Sequence, residues 1–371
     1  MRGRVTTPNQ RRYARHRMRI RDLGVQIGRL EAGPDNAITD VRGTLVGHTT
    51  VLADDPVVRT GVTVIVPRNG DIWSDYAFCG WHSFNGNGEM TGIPWLDESG
   101  MLGSAIGLTN THQVGMVRDA FVRHSVESGH TDGFILPVVA ETYDGWLSDI
   151  DSFALTEDHV RQALAKASTG PVMEGNVGGG TGMICHEFKG GIGSSSRRVG
   201  VAGTAQTVGV LVQANYGLRH ELRIDGVPVG RLIGADVVPS AFDEPHGRRE
   251  GSIIVVIATD APLLPTQCRR LAQRATVGLA RVGGTGRNGS GDIFVAFSVG
   301  DHLRSAETTG HTVRMTALEE MNGLFEAVAD ATEEAILNAL CAAETMTGFR
   351  GRTAHALPLD RVSELLDARP W

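Results

Sequence analysis

The stretch EGSIIVVIATDAPLLP, residues 250–265, constrains this chain most. Ile253 to Ile257 form an unbroken β-branched apolar run, and a strand without polar alternation is buried on both faces. Such a strand needs a layer on each side, so the fold must stack sheet and helix. The pair Gly251-Ser252 stands immediately before it, preceded by SAFDEPHGRRE (240–250), whose Pro245, Gly247 and charges predict an exposed loop. Ser252 therefore opens a core strand at the mouth of a loop. That place suits an ordinary strand start, and it also suits a site at which a chain cuts itself.

The chain's 371 residues are enough for one large layered domain or two. Glycine is the one unusual component: 48 residues, about one in eight, which implies many tight turns and close backbone approaches. A net charge of −7 points away from nucleic acid or an anionic membrane as partner. No run reaches the roughly 18 apolar residues that span a bilayer. Cys79, Cys185, Cys268 and Cys341 are scattered, with no Cys-x-x-Cys, so they are expected to be reduced and buried, with no metal. Residues 1–21 hold eight arginines and no acid. Arg11-Arg12 invites a twin-arginine export reading, but no apolar segment follows, so a cytoplasmic protein is expected. The arm itself is expected to be flexible or to meet another subunit.

Along the chain, 37–51 and 60–70 read as strands, 114–126 as a helix capped by Asn110 or Thr111, and 133–141 as a strand ending in Glu141-Thr142-Tyr143-Asp144-Gly145. Residues 156–168 form a helix with Thr156 as N-cap. The glycine-dense segment 175–197 lacks the G-K-[ST] ending of a phosphate loop, so a nucleotide site is not expected. Residues 209–217 are a strand ending in Asn215-Tyr216-Gly217, and 221–233 a hairpin on Asp225-Gly226. A helix capped by Thr266 covers 265–282, a glycine loop feeds a strand over 283–300, and helices cover 316–346 and 358–367.

The G-x-S-x-G elbow and HExxH are both missing, and no histidine has a telling neighbour, so a Ser-His-Asp triad and a zinc site have no foothold. A serine can still find a base. If the Gly251–Ser252 bond breaks, Ser252 gains an α-amine with an ordinary pKa of about 7.7 to 8.0, on the same residue as its hydroxyl.

Several collinear segments carry a resemblance: HSFNGNGEMTG (82–92), IGLTNTHQVG (106–115), ETYDGWLSDI (141–150), EGNVGGGTGM (174–183), FKGGIGSSSR (188–197), VQANYG (212–217), GSIIVVIATDAPLLP and GSGDIF (289–294). From about residue 22 to 367 the chain resembles the DmpA/BapA family of self-processing serine aminopeptidases. The resemblance implies an αββα sandwich (the DOM fold, N-terminal-nucleophile-hydrolase-like), cut between Gly251 and Ser252 into an α chain, 22–251, and a β chain, 252–371. Ser252 would then be the nucleophile, with Ser290 and Asp292 beside it, though some members carry Glu at the latter place. Asn215 matches the oxyanion residue, a role for which a strand-end amide is physically suited. The Gly291 N–H is a candidate second donor, and Tyr143 matches a tyrosine of the family's site. Glu141 is the candidate for the substrate's ammonium. Ser148 departs from the Asn expected in its segment, and Trp146 and Trp81 are open between pocket and core. The implied activity is hydrolysis of short peptides, amides and esters through an acyl-enzyme, without cofactor, in a homotetramer of α/β units. The alternative is an ornithine-acetyltransferase-like acyltransferase, against which Ser252 counts because those enzymes usually use threonine.

Overall fold

The fold is taken from a computed structural model, which describes residues 17–130, 133–242 and 251–368. Most of the arginine-rich arm and residues 243–250 of the loop before Ser252 lie outside the described residues. The strands are β1 (Leu45–Asp54), β2 (Val57–Val66), β3 (Asp75–Gly86), β4 (Met101–Leu102), β5 (Ile106–Asn110), β6 (Val138–Thr142), β7 (Ile184–Cys185), β8 (Phe188–Lys189), β9 (Gly191–Val201), β10 (Thr204–Asn215), β11 (Ser252–Thr259), β12 (Gly291–Arg304), β13 (Met346–Thr347) and β14 (Thr353–Ala354). The helices are α1 (Ile93–Ser99), α2 (Val114–Glu127), α3 (Glu157–Lys166), α4 (Val229–Leu232), α5 (Pro265–Val282), α6 (Met321–Cys341) and α7 (Leu359–Asp367).

Two sheets face one another, one in the order β1-β2-β5-β6 and the other β4-β3-β12-β11-β10-β9. Between them Ile65, Ile106 and Val138 of the first sheet pack with Leu211, Ile254 and Val256 of the second. On the outer face of the second sheet, Ile253, Val255 and Ile257 meet Leu271 and Leu279 of α5 and Val328 and Ala335 of α6. Val62, Val64 and Val139 of the first sheet pack on Val117, Phe121 and Val160 of α2 and α3. The layers thus run helix, sheet, sheet, helix, the expected αββα sandwich. Odd and even residues of β11 feed different cores, so every position from Ile253 to Ala258 is apolar and the run does not alternate.

The glycine-dense segment serves packing. Gly178 to Gly180 form a single turn pressed against the first sheet, with Gly178 and Gly179 N–H donating to Thr50 and Thr63 hydroxyls at 2.8 and 3.1 Å. Gly193 of β9 lets α6 approach so closely that a Cβ there would collide with the Ala335 carbonyl. The described end of the arginine arm is tied down in the same chain, Arg19 to Glu174 at 2.8 Å and Arg21 to the buried Glu334 at 2.6 Å.

Some local expectations shift. The strand placed at 133–141 begins only at Val138, and Phe134 is exposed. Around Asp225-Gly226 there is a tight turn closed by one Ile224–Val227 bridge, followed by α4 in place of a returning strand. Helix α5 starts at Pro265 with Leu264 in the cap position, so Thr266 lies inside its first turn. Proline's fixed φ sets that start in place of a capping hydroxyl. Asn110 caps the 3-10 turn Thr111–Gln113 that leads into α2, its side chain accepting from His112 and Gln113 N–H at 3.1 Å, while the cap position of α2 itself is Gln113.

Candidate active site

Three neighbouring strands bring the site together at one end of the second sheet. In the antiparallel β10–β11 pair Asn215 stands opposite Ser252, and in the parallel β11–β12 pair Ser252 stands opposite Gly291. Ser290 and Asp292 flank Gly291 in the loop-to-strand turn that the sequence GSGDIF encodes. Asn215, Ser252, Ser290 and Asp292 are all buried.

The Gly291 N–H lies 3.1 Å from Ser252 Oγ and 3.2 Å from the Gly251 carbonyl oxygen, so one donor serves both hydroxyl and carbonyl. Ser290 Oγ donates to Asp292 Oδ1 at 2.6 Å. Burial pushes the Asp292 carboxyl up to about 6, partly offset by the Ser290 hydrogen bond, so it is ionised at neutral pH but close to its titration. Asn215 is held at both ends: its Oδ1 accepts from Ile184 N–H at 2.8 Å and its Nδ2 donates to the Tyr143 carbonyl at 3.0 Å. A side chain fixed this way presents its remaining Nδ2 hydrogen in a set direction, as a preorganised oxyanion donor must.

Tyr143, Asn215, Gly251, Ser290 and Asp292 line a single cavity of about 320 Å³. Tyr143 follows β6 and is half-exposed, its ring folded over Gly145, where a Cβ would collide with the phenol oxygen. Glu141 sits elsewhere. Its carboxylate is buried and accepts from Glu89 N–H at 3.0 Å and from the Thr111 hydroxyl, and it does not line that cavity. It is separated from Gly291 by the thin backbone of Gly88, where a Cβ would stand 3.2 Å from Glu141 Oε1 and 3.0 Å from Gly291 Cα. Burial raises its carboxyl above the ordinary range.

Of the two tryptophans, Trp146 lines the cavity and Trp81 borders a separate recess with Asp97 and Arg269. Trp146 packs edge-on against Phe242 at 5.2 Å and carries the Arg352 guanidinium 3.9 Å above its ring. Arg352, Arg350 and Arg287 also line the cavity, and sequence reasoning missed all three, Arg350 and Arg352 because no motif surrounds them and Arg287 because the glycine loop around it pointed to Ser290 and Asp292. Ser148, the departure from the family pattern, accepts from Arg59 N–H at 3.0 Å and helps to wall the cavity. Among the described residues no group of three or more His, Cys, Asp or Glu is placed to hold a metal ion.

Residues 36–354 match the profile of Peptidase family S58. The β-peptidyl aminopeptidase BapA of Sphingosinicella microcystinivorans is 45% identical over 356 residues, covering 92% of this chain and 89% of the relative. A β-aminopeptidase structure from Burkholderia sp. superposes with a TM-score of 0.89 at 49% identity, covering 95% of this chain and 99% of the other. The L-aminopeptidase D-Ala-esterase/amidase of Ochrobactrum anthropi, described as a prototype serine aminopeptidase and a variant of the Ntn hydrolase fold, gives 0.85 at 42% identity, with 94% and 98% covered. These relatives are aminopeptidases and lend no support to the acyltransferase alternative. With a serine at the head of a core strand, an amide donor opposite it and relatives of this kind along nearly its whole length, the chain belongs to Peptidase family S58 and is a hydrolase of the serine aminopeptidase type.

Proposed function

We propose that this chain cuts itself between Gly251 and Ser252 and then releases N-terminal α- or β-amino acid residues from short peptides, amides and esters through an acyl-enzyme on Ser252. The observation that carries the reading is the Gly291 N–H shared between Ser252 Oγ and the Gly251 carbonyl oxygen. In the intact chain the hydroxyl attacks that carbonyl carbon. The tetrahedral oxyanion keeps the Gly291 hydrogen bond, the hydroxyl proton passes to the nitrogen, the C–N bond breaks, and the nitrogen leaves as the Ser252 amine with an ester on Oγ. Water hydrolyses the ester and leaves Ser252 at a new N-terminus.

In turnover the same hydroxyl attacks the substrate carbonyl. The Ser252 amine, near its titration at neutral pH, takes the hydroxyl proton and returns it to the leaving amine. Asn215 Nδ2 and Gly291 N–H receive the developing negative charge, and Tyr143 hydrogen-bonds the tetrahedral intermediate. The Ser290–Asp292 pair holds the Ser252 amine or orients its hydroxyl. Glu141, buried behind Gly88 and outside the cavity, is the acid assigned to the substrate's ammonium.

The chain would act in the cytoplasm, in keeping with four buried free cysteines, as a homotetramer of α/β units. Exposed Trp95 and Phe134, packed edge to face at 6.5 Å, give such an assembly an apolar surface to bury. A panel of α- and β-aminoacyl p-nitroanilides tests the activity. Release of p-nitroaniline from free-amine substrates and none from their N-acetyl counterparts is expected, whereas equal cleavage of both would contradict an aminopeptidase.

A further inference from the structure

The chain holds only two lysines, Lys166 and Lys189, against 33 arginines. Lys189, in β8, is fully buried. It forms no salt bridge among the described residues. Its Nζ is ringed by main-chain carbonyls, donating to Met183 at 2.7 Å, Gly190 at 2.8 Å and Gly180 at 3.4 Å. Three acceptors suit the ammonium form, which has three N–H donors. Burying such a charge is expensive, and the planar guanidinium used elsewhere in this chain does not offer the same compact point charge.

The Met183 carbonyl belongs to the same peptide unit as the Ile184 N–H, which donates to Asn215 Oδ1 at 2.8 Å. Gly190 N–H also donates to that carbonyl, at 2.9 Å. Cation, peptide unit and side-chain amide therefore stand in one hydrogen-bonded line that ends at the Asn215 Nδ2 hydrogens. In such a line each bond polarises the next: a cation on the carbonyl makes the N–H a stronger donor, and a stronger bond to Oδ1 makes Nδ2–H more positive.

We propose that Lys189 is a positioning residue for the oxyanion hole, fixing and polarising the Met183–Ile184 peptide so that Asn215 meets the acyl oxygen as a charge-strengthened donor. This rests on the reading of Asn215 as oxyanion donor. Burial, and after it the Arg17 charge, lowers the Lys189 ammonium well below its ordinary range, and the three carbonyls and buried Asp144, which follows Tyr143, are what favour the charged form.

The test compares Lys189→Met, Asn215→Ala and the double variant of the full chain, assaying an alanine p-nitroanilide with the processed enzyme. Lys189→Met is expected to lower kcat roughly tenfold with KM unchanged, a fraction of what a whole oxyanion donor contributes. In the Asn215→Ala background it is expected to lower kcat no further. Equal losses in both backgrounds, or a loss confined to KM, would overturn the relay. A normal kcat in Asn215→Ala would overturn the underlying reading of Asn215, whereas a defective Asn215→Ala beside a normal Lys189→Met would overturn the relay alone. If a variant stays unfolded or uncut, the decision passes to the wild-type chain labelled with ¹⁵N-lysine, which gives only two side-chain signals. A Lys189 ammonium that is still charged and protected from exchange at pH 7 supports the relay, and a neutral amine there overturns it.

Discussion

Gly291 stands directly across the parallel β11–β12 pair from Ser252, and its N–H lies 3.1 Å from Ser252 Oγ. The same N–H lies 3.2 Å from the carbonyl oxygen of Gly251, the residue before. The proposed nucleophile, scissile carbonyl and oxyanion donor would thereby be fixed by sheet register rather than by loop conformation. In the proposed reaction a single backbone amide serves the intact chain first and the mature enzyme afterwards.

Gly291 tolerates no side chain. A Cβ would fall 2.6 Å from the Asn87 carbonyl oxygen and 2.7 Å from Gly88 Cα, both backbone atoms. Gly291→Ala should therefore move the donor, leaving a folded chain that is uncut and inactive. Circular dichroism and electrophoresis check this; normal processing would show that the position of the N–H matters little.

Removing the amide opposite the nucleophile should act on the transition state. Asn215→Ala is expected to lower kcat by roughly 10²- to 10³-fold, about 3 to 4 kcal/mol, with little change in KM. Steady-state kinetics on the processed fraction measures it, and a defect in KM alone would assign Asn215 to substrate binding.

Asp292, pushed up to about 6 by burial, should add a second, lower step to the acid side of the activity profile, below the one set by the Ser252 amine. As pH falls through about 6 its carboxylate protonates and ceases to accept the Ser290 hydrogen bond in its charged form, so kcat/KM should decline further there. The stability effect has the opposite sign. A carboxyl whose folded pKa is raised favours folding below its unfolded pKa, and that contribution is lost as pH rises through the folded value. A pH–rate profile beside melting curves separates the two, and a lower step that persists unchanged in Asp292→Asn would belong to another group.

Glu141 should act on substrate affinity. With a charged hydrogen-bond partner removed, Glu141→Gln is expected to raise KM for free-amine substrates by roughly 10- to 100-fold while processing stays normal. An unchanged KM would leave Glu141 as a support for the Glu89 and Thr111 contacts it makes in the intact chain.

The layer order was readable from β11 because a strand apolar at every position can only lie between two cores, and Ile253 and Ile254 do face different ones. Asn215 and Ser290 were findable because VQANYG and GSGDIF carry the family resemblance, and the strands that Asn215 ends and Ser290 precedes then bring both beside Ser252. Other features left no sequence trace. The turn at Asp225-Gly226 carried a hairpin signal, but the segment after it packs as α4 instead of pairing. Arg350 and Arg352 reach the cavity from the far end of the chain with no motif to announce them. Lys189 was invisible because its partners are main-chain carbonyls, whose positions no residue type encodes.

Intact-mass measurement of the purified chain, with N-terminal sequencing of its parts, tests the central claim most directly. Two chains of roughly two-thirds and one-third of the mass are predicted, the smaller beginning at Ser252, while Ser252→Ala remains whole and inactive. A single uncut chain that nevertheless turns over substrate would contradict the account.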